Sequence, residues 1–84
     1  MAKLQYSKQA SKYLRRMPKS HAQKMRKALQ DIAVGCVRGL DIKWMKNLNA
    51  FRLRLGNYRA MYAFRKEGQV LIVAKVGTRG DFYK

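Results

Sequence analysis

The chain has 84 residues, 48% of them hydrophobic, which is enough for one domain spanning 1–84 with a modest core and too few for two domains. Twenty Lys and Arg against four acids (Asp31, Asp41, Glu67 and Asp81) give a formal net charge of +16, and that imbalance points to a polyanionic partner, nucleic acid before a membrane surface. The lone Cys36 and lone His21 exclude an intramolecular disulfide and a multi-cysteine zinc site.

Lys3 to Tyr6 alternates, with Leu4 and Tyr6 on one side, and predicts a first strand. Ser7 stands where a helix N-cap stands. Ala10, Leu14 and Met17 then recur at helical spacing until Met17-Pro18 ends the helix. Ser20 is the N-cap expected for a second helix. Its apolar stripe is Ala22, Met25, Leu29 and Ile32, and Gly35 stops it. A connecting stretch runs from Cys36 to Ala50. Trp44 within it is expected to plug the core, since aromatic rings contribute most by burial; an exposed base-stacking ring is the alternative.

The period then changes. Phe51, Leu53 and Leu55 alternate with Arg52 and Arg54, and Gly56-Asn57 signals a turn. Tyr58, Ala60, Tyr62 and Phe64 form the next alternating run, Glu67-Gly68 the next turn, and Val70 to Val76 the last strand. The order is β-α-α-β-β-β. The expected fold is α+β, with a helical hairpin packed on one face of a small, mostly antiparallel sheet. No apolar run approaches the ~20 residues that span a bilayer, and the N-terminus has no signal-peptide apolar region. Nothing reads as a membrane anchor, so a cytoplasmic protein is expected.

If Phe51, Leu53 and Leu55 face the helices, Arg52 and Arg54 face away, and Arg59 joins them from the next strand. An anion is the natural thing to place between three guanidiniums, whose planar forks fit phosphate oxygens in pairs. A solvated, aggregation-resistant face is the alternative. After the last strand, Gly77 and Gly80 let the backbone turn, bringing Arg79 and Tyr83 back toward that face. Further candidate RNA contacts are Lys24, Arg26 and Lys27 on the second helix, with Lys43, Lys46 and Lys75 in the second half. Solvated charge is the competing reading for the helical three. His21, at the second helix's start, reads as surface decoration, and Asp81 as a salt-bridge partner for a neighbouring arginine.

The run Phe51-Arg52-Leu53-Arg54-Leu55-Gly56-Asn57-Tyr58-Arg59-Ala60-Met61-Tyr62 resembles the central motif of the RelE/ParE toxin superfamily. So does the ending, Val76-Gly77-Thr78-Arg79 and then Asp81-Phe82-Tyr83-Lys84. The resemblance covers essentially the whole chain. It implies the toxin of a type II toxin–antitoxin system, of the RelE-like branch. Such toxins cleave mRNA in the ribosomal A site by driving a 2′-hydroxyl onto the adjacent phosphate, with no metal or cofactor. By the same resemblance Arg52, Arg54, Arg59, Arg79 and Tyr83 fall on the catalytic positions. Arginine at 52 and 54 rarely releases its proton, so the general base is unassigned, with Tyr83 a candidate. The partners implied are a cognate acidic antitoxin, forming a hetero-oligomer, and the ribosome with its mRNA. Two other functions stay open: a ParE-like DNA gyrase inhibitor, and a non-catalytic RNA-binding module.

Overall fold

The computed structural model describes residues 1–78. In chain order its elements are β1 (Lys3–Tyr6), α1 (Lys8–Arg16), α2 (Lys19–Ala33), β2 (Asp41–Met45), a 3-10 turn (Lys46–Leu48), β3 (Ala50–Leu55), β4 (Tyr58–Arg65) and β5 (Val70–Thr78). The described strands form one sheet in the order β1-β5-β4-β3-β2. The β1–β5 pair is parallel and the others antiparallel. This is the expected α+β arrangement with one addition: β2 lies inside the stretch read as a connection, and pairs Asp41–Met45 with Arg54–Ala50.

Local chemistry sets the helix ends. The Ser7 hydroxyl accepts the Ala10 N–H at 3.0 Å, the expected cap of α1. Helix α2 starts earlier than expected, with Pro18 at the N-cap and Ser20 already inside the first turn. No side chain caps this end; the Pro18 carbonyl accepts the Ala22 N–H at 3.0 Å as the first bond of the helix. At the far end Gly35 takes φ +87°; its N–H donates to the Ile32 carbonyl, and the Cys36 N–H donates to that of Asp31. That pair of bonds is a Schellman ending, which needs a residue at ease with positive φ.

Both helices pack on one sheet face. The core joins Ala10, Leu14 and Met17 of α1 and its exit, and Ala22, Met25, Leu29 and Ile32 of α2, to Leu53, Ala60, Tyr62, Leu71, Val73 and Val76 of the sheet. Trp44 departs from expectation: it is 48% exposed. It stands on the edge strand β2, opposite Phe51, and meets that ring edge-on with centroids 4.9 Å apart. An edge strand has no neighbour to close over its side chains, so the indole caps the core's margin instead of filling its centre.

One irregularity in β5 decides what the other face displays. Leu71 and Val73 point into the core, so strict alternation would send Lys75 and Gly77 after them. The register against β4 slips between Met61 and Tyr62, pairing Met61 with Lys75 and Tyr62 with Val73 and leaving Ala74 as the extra residue of a bulge. The phase resets. Val76 enters the core at 0% exposure, and Lys75 turns to the helix-free face. The start of α1 holds this bulge. The Ser7 N–H donates to the Val73 carbonyl (2.9 Å) and the Ser7 hydroxyl to that of Ala74 (2.6 Å). The Gln9 amide then brackets Val76, donating to its carbonyl at 2.9 Å and accepting its N–H at 3.0 Å.

Candidate nucleic-acid interface

The residues opposite the helices form two rows across the sheet. Pairing register aligns Lys43, Arg52, Met61 and Lys75 in one row, and Asp41, Arg54, Arg59 and Gly77 in the next. Neighbouring strands are about 4.8 Å apart. Five cations from four strands therefore surround a floor made by Met61, itself buried, and the backbone at Gly77. Arg54 stands directly opposite Arg59, a like-charge pairing that destabilises an antiparallel ladder. The fold accepts that cost on its helix-free face.

Arg52 and Arg59 are half-buried, and the Nε of each lies below the surface. That atom of Arg52 has no hydrogen-bond partner, and a buried donor left unmade carries a desolvation penalty. One acid answers this field among the described residues: Asp41 accepts from Arg52 Nη2 at 3.0 Å. The Asp41 side chain is 56% exposed, so the pair is weak and a competing anion reaches it readily.

The candidate residues thus divide by place. Arg52, Arg54, Arg59, Lys43 and Lys75 come together on one face. Lys24, Arg26 and Lys27 lie on α2, on the other side of the sheet, and Lys27 is engaged by Asp31 at 2.7 Å. That bond raises the Lys27 pKa above its ordinary value. Lys46 sits in the 3-10 turn beyond β2. Arg79 and Tyr83, and with them Asp81, lie outside the described residues. Sequence reasoning missed Asp41 as the counter-charge, because its role depends on a strand inside the stretch read as a connection.

Two other surfaces accompany this face on the helix side. An apolar groove of about 480 Å³ runs between the end of α2 and the sheet, lined by Ile32, Val37, Ile42, Phe51, Tyr62 and Phe64. Near the β3–β4 turn, a slot of about 240 Å³ lies between the start of α2 and Leu55, Gly56 and Tyr58. No helix of the described residues is long and apolar enough to cross a membrane.

Comparison with known proteins agrees with this architecture. Residues 4–83 match the family model described as the ParE toxin of the type II toxin–antitoxin system parDE. No curated protein matches the chain in sequence. Among solved structures, the chain is similar to one from the RelB-RelE antitoxin–toxin complex of Methanococcus jannaschii, with TM-score 0.77, 23% identity and 94% of each chain covered. It is similar to one from the archaeal RelE-RelB complex of Pyrococcus horikoshii OT3, with TM-score 0.71 and 25% identity, over 94% of this chain and 96% of that one. The isolated RelE toxin of E. coli has the same fold, with TM-score 0.72 and 20% identity, over 93% of this chain and 84% of that one.

Proposed function

From its place in the RelE/ParE superfamily of type II toxins, to which this chain belongs, we propose that it is an endoribonuclease that inhibits translation by cutting mRNA on the ribosome. The observation that supports this reading is the convergence of Arg52, Arg54 and Arg59 with Lys43 and Lys75 on one face, two of the guanidiniums anchored by half-burial.

In this mechanism the 2′-hydroxyl of one nucleotide attacks the adjacent phosphorus in line. The new P–O bond closes a 2′,3′-cyclic phosphate, the bond to the 5′ oxygen breaks, and that oxygen leaves with a proton. Negative charge grows on the phosphoryl oxygens and on the leaving oxygen, and preorganised cations stabilise it. Arg59 and Arg79 clamp the scissile phosphate, Arg52 and Arg54 neutralise and orient the backbone, and Tyr83 handles a proton. Lys43 and Lys75 extend the phosphate track, and Lys46, Lys24 and Arg26 add peripheral contacts to RNA; Lys27, engaged by Asp31, is not among them.

The partner proposed is an acidic antitoxin whose carboxylates cover the arginine face. Similar chains from M. jannaschii and P. horikoshii are found with RelB. The apolar groove beside α2 offers such a partner a second, uncharged contact. The cytoplasm, where ribosomes and mRNA are, is the proposed location.

The ParE description of the matched family favours a second reading, a DNA gyrase poison that cuts no RNA. Mapping mRNA 5′ ends after brief expression separates the two. New, codon-phased ends that disappear in Arg59→Ala, Arg79→Ala and Tyr83→Phe are expected. Intact mRNA with induced DNA damage would move the chain to the second reading, and neither outcome would leave an RNA-binding module without catalysis.

A further inference from the structure

The slot beside the β3–β4 turn is used by no step above. Its wall is the Tyr58 ring, half-buried against the core. The exposed His21 ring approaches Tyr58 with centroids 5.2 Å apart and planes tilted by 46°. Met25 and Leu55 form an apolar floor, Gly56 leaves one side open at backbone level, and Lys24 brings a single ammonium to the rim. Among the described residues no acid lines it. Tyr58 also borders a second cavity of about 170 Å³ that holds Tyr13 and Arg16. Aromatic faces over an apolar floor, with a cation at the edge and no carboxylate, are what an unstacked base and its phosphate require.

Position adds to composition. Leu55 pairs with Tyr58, and Arg54 with Arg59, at successive steps of one hairpin. Successive residues point to opposite faces. The slot and the outer end of the arginine rows are therefore the two sides of the same turn. A single strand leaving the guanidiniums at Arg59 has only Gly56-Asn57 to cross, a turn with no bulky side chain. Gly56 there takes φ +58° as the first residue of the two-residue loop.

We propose that this slot is a subsite for the base of an unpaired nucleotide flanking those on the arginine face, the ring seated against Tyr58 and His21 and its phosphate on Lys24. The proposal rests on the RNA-directed reading of that face, and it assigns His21 and Lys24 to binding, not to chemistry.

The test is fluorescence anisotropy of the full chain with a labelled 2′-O-methyl hexanucleotide, which lacks the free 2′-hydroxyl that cleavage needs, and with an abasic version of it. His21→Ala is expected to weaken binding of the hexanucleotide about fivefold or more, the low end of base–aromatic stacking, and to change abasic binding less than about twofold. Lys24→Ala is expected to weaken both. Wild-type binding in His21→Ala, or equal losses on the two probes, would overturn the subsite. Arg59→Ala reads the other face separately. A loss there with none at His21 overturns the slot alone. A loss at His21 with none in Arg59→Ala upholds the slot and overturns the arginine face. His21 and Lys24 are exposed on a helix surface, so neither substitution touches the core.

Discussion

At the scale of single residues, the arginine face is regulated by what little opposes it. Asp41 engages Arg52, whose side chain is 15% exposed, yet remains 56% exposed itself. A phosphate arriving at Arg52 must displace that carboxylate or share the guanidinium with it. Exposed ion pairs contribute roughly 0.2–1 kcal/mol, so Asp41→Ala is expected to tighten hexanucleotide binding by up to about fivefold. Glu67→Ala, which adds the same charge at the β4–β5 turn, is the control and should change affinity far less. Equal effects of the two would mean that net charge acts and the ion pair does not. Tyr62 presents a different dependence. Burial pushes its phenol up to about 12, against 10.0 unperturbed. The raised folded value means that the neutral phenol's contribution is complete below pH 10 and is lost as pH rises through 12. Wild type should lose about 1.4 kcal/mol between pH 8 and pH 11 relative to Tyr62→Phe, measured by urea denaturation at both pH values. Parallel losses in the two proteins would contradict this.

At the scale of elements, the sheet's chemistry depends on a bulge that α1 holds in place. Ser7 bonds the backbone at Val73 and Ala74, and Gln9 replaces the strand partner that β1 no longer supplies at Val76. Gln9→Ala leaves a backbone donor and acceptor of β5 without these bonds, and a loss of about 1–3 kcal/mol in thermal or urea unfolding is expected. Gln9→Glu keeps the acceptor for the Val76 N–H but sets a carboxylate oxygen against the Val76 carbonyl, so a loss is expected there too. Wild-type stability in both variants would show that the clasp contributes nothing. The same element explains how far the sequence could be read. The helices, the β3–β4 hairpin and the direction of Arg52, Arg54 and Arg59 follow from apolar spacing, because period 2 and period 3.6 are local signals. Lys75 looked like a lone polar interruption in an apolar run; its delivery to the cation face comes from Ala74, and a bulge leaves no trace in alternation when its neighbours are all apolar. Strand β2 is a different case. Asp41-Ile42-Lys43-Trp44 alternates as the four residues of β1 do, but assigning Trp44 to the core within a connection hides the pattern, and only the pairing with β3 marks the run as a strand. With β2 hidden, Asp41 had no visible route to Arg52, and Trp44 had no edge to stand on. His21 and Tyr58 meet only because the hairpin turn closes on the start of α2, a tertiary contact between residues with no common periodicity.

At the scale of the whole molecule, a charge of +16 on a chain of this size raises the question of whether anions are bound by a site or by the surface at large. The two cases differ in their salt dependence. Each phosphate neutralised on a single strand lowers the slope of log K against log salt by about 0.7. If cations of a defined site hold the five internucleotide phosphates, the hexanucleotide should show a slope near −3.5. Arg52→Ala should reduce its magnitude by about 0.7 and weaken binding at all salt concentrations. Lys27→Ala should leave it unchanged, because Lys27 lies on α2 and its ammonium is already answered by Asp31 at 2.7 Å. A diffuse cationic surface behaves otherwise: the slope then follows total charge, and the two substitutions reduce it alike. Anisotropy titrations at four or five salt concentrations distinguish these outcomes. A slope that responds to Arg52 and not to Lys27 assigns the binding to the helix-free face. An equal response would mean that the alignment of Lys43, Arg52, Lys75, Arg54 and Arg59, for all its order, grips nothing that the rest of the surface does not.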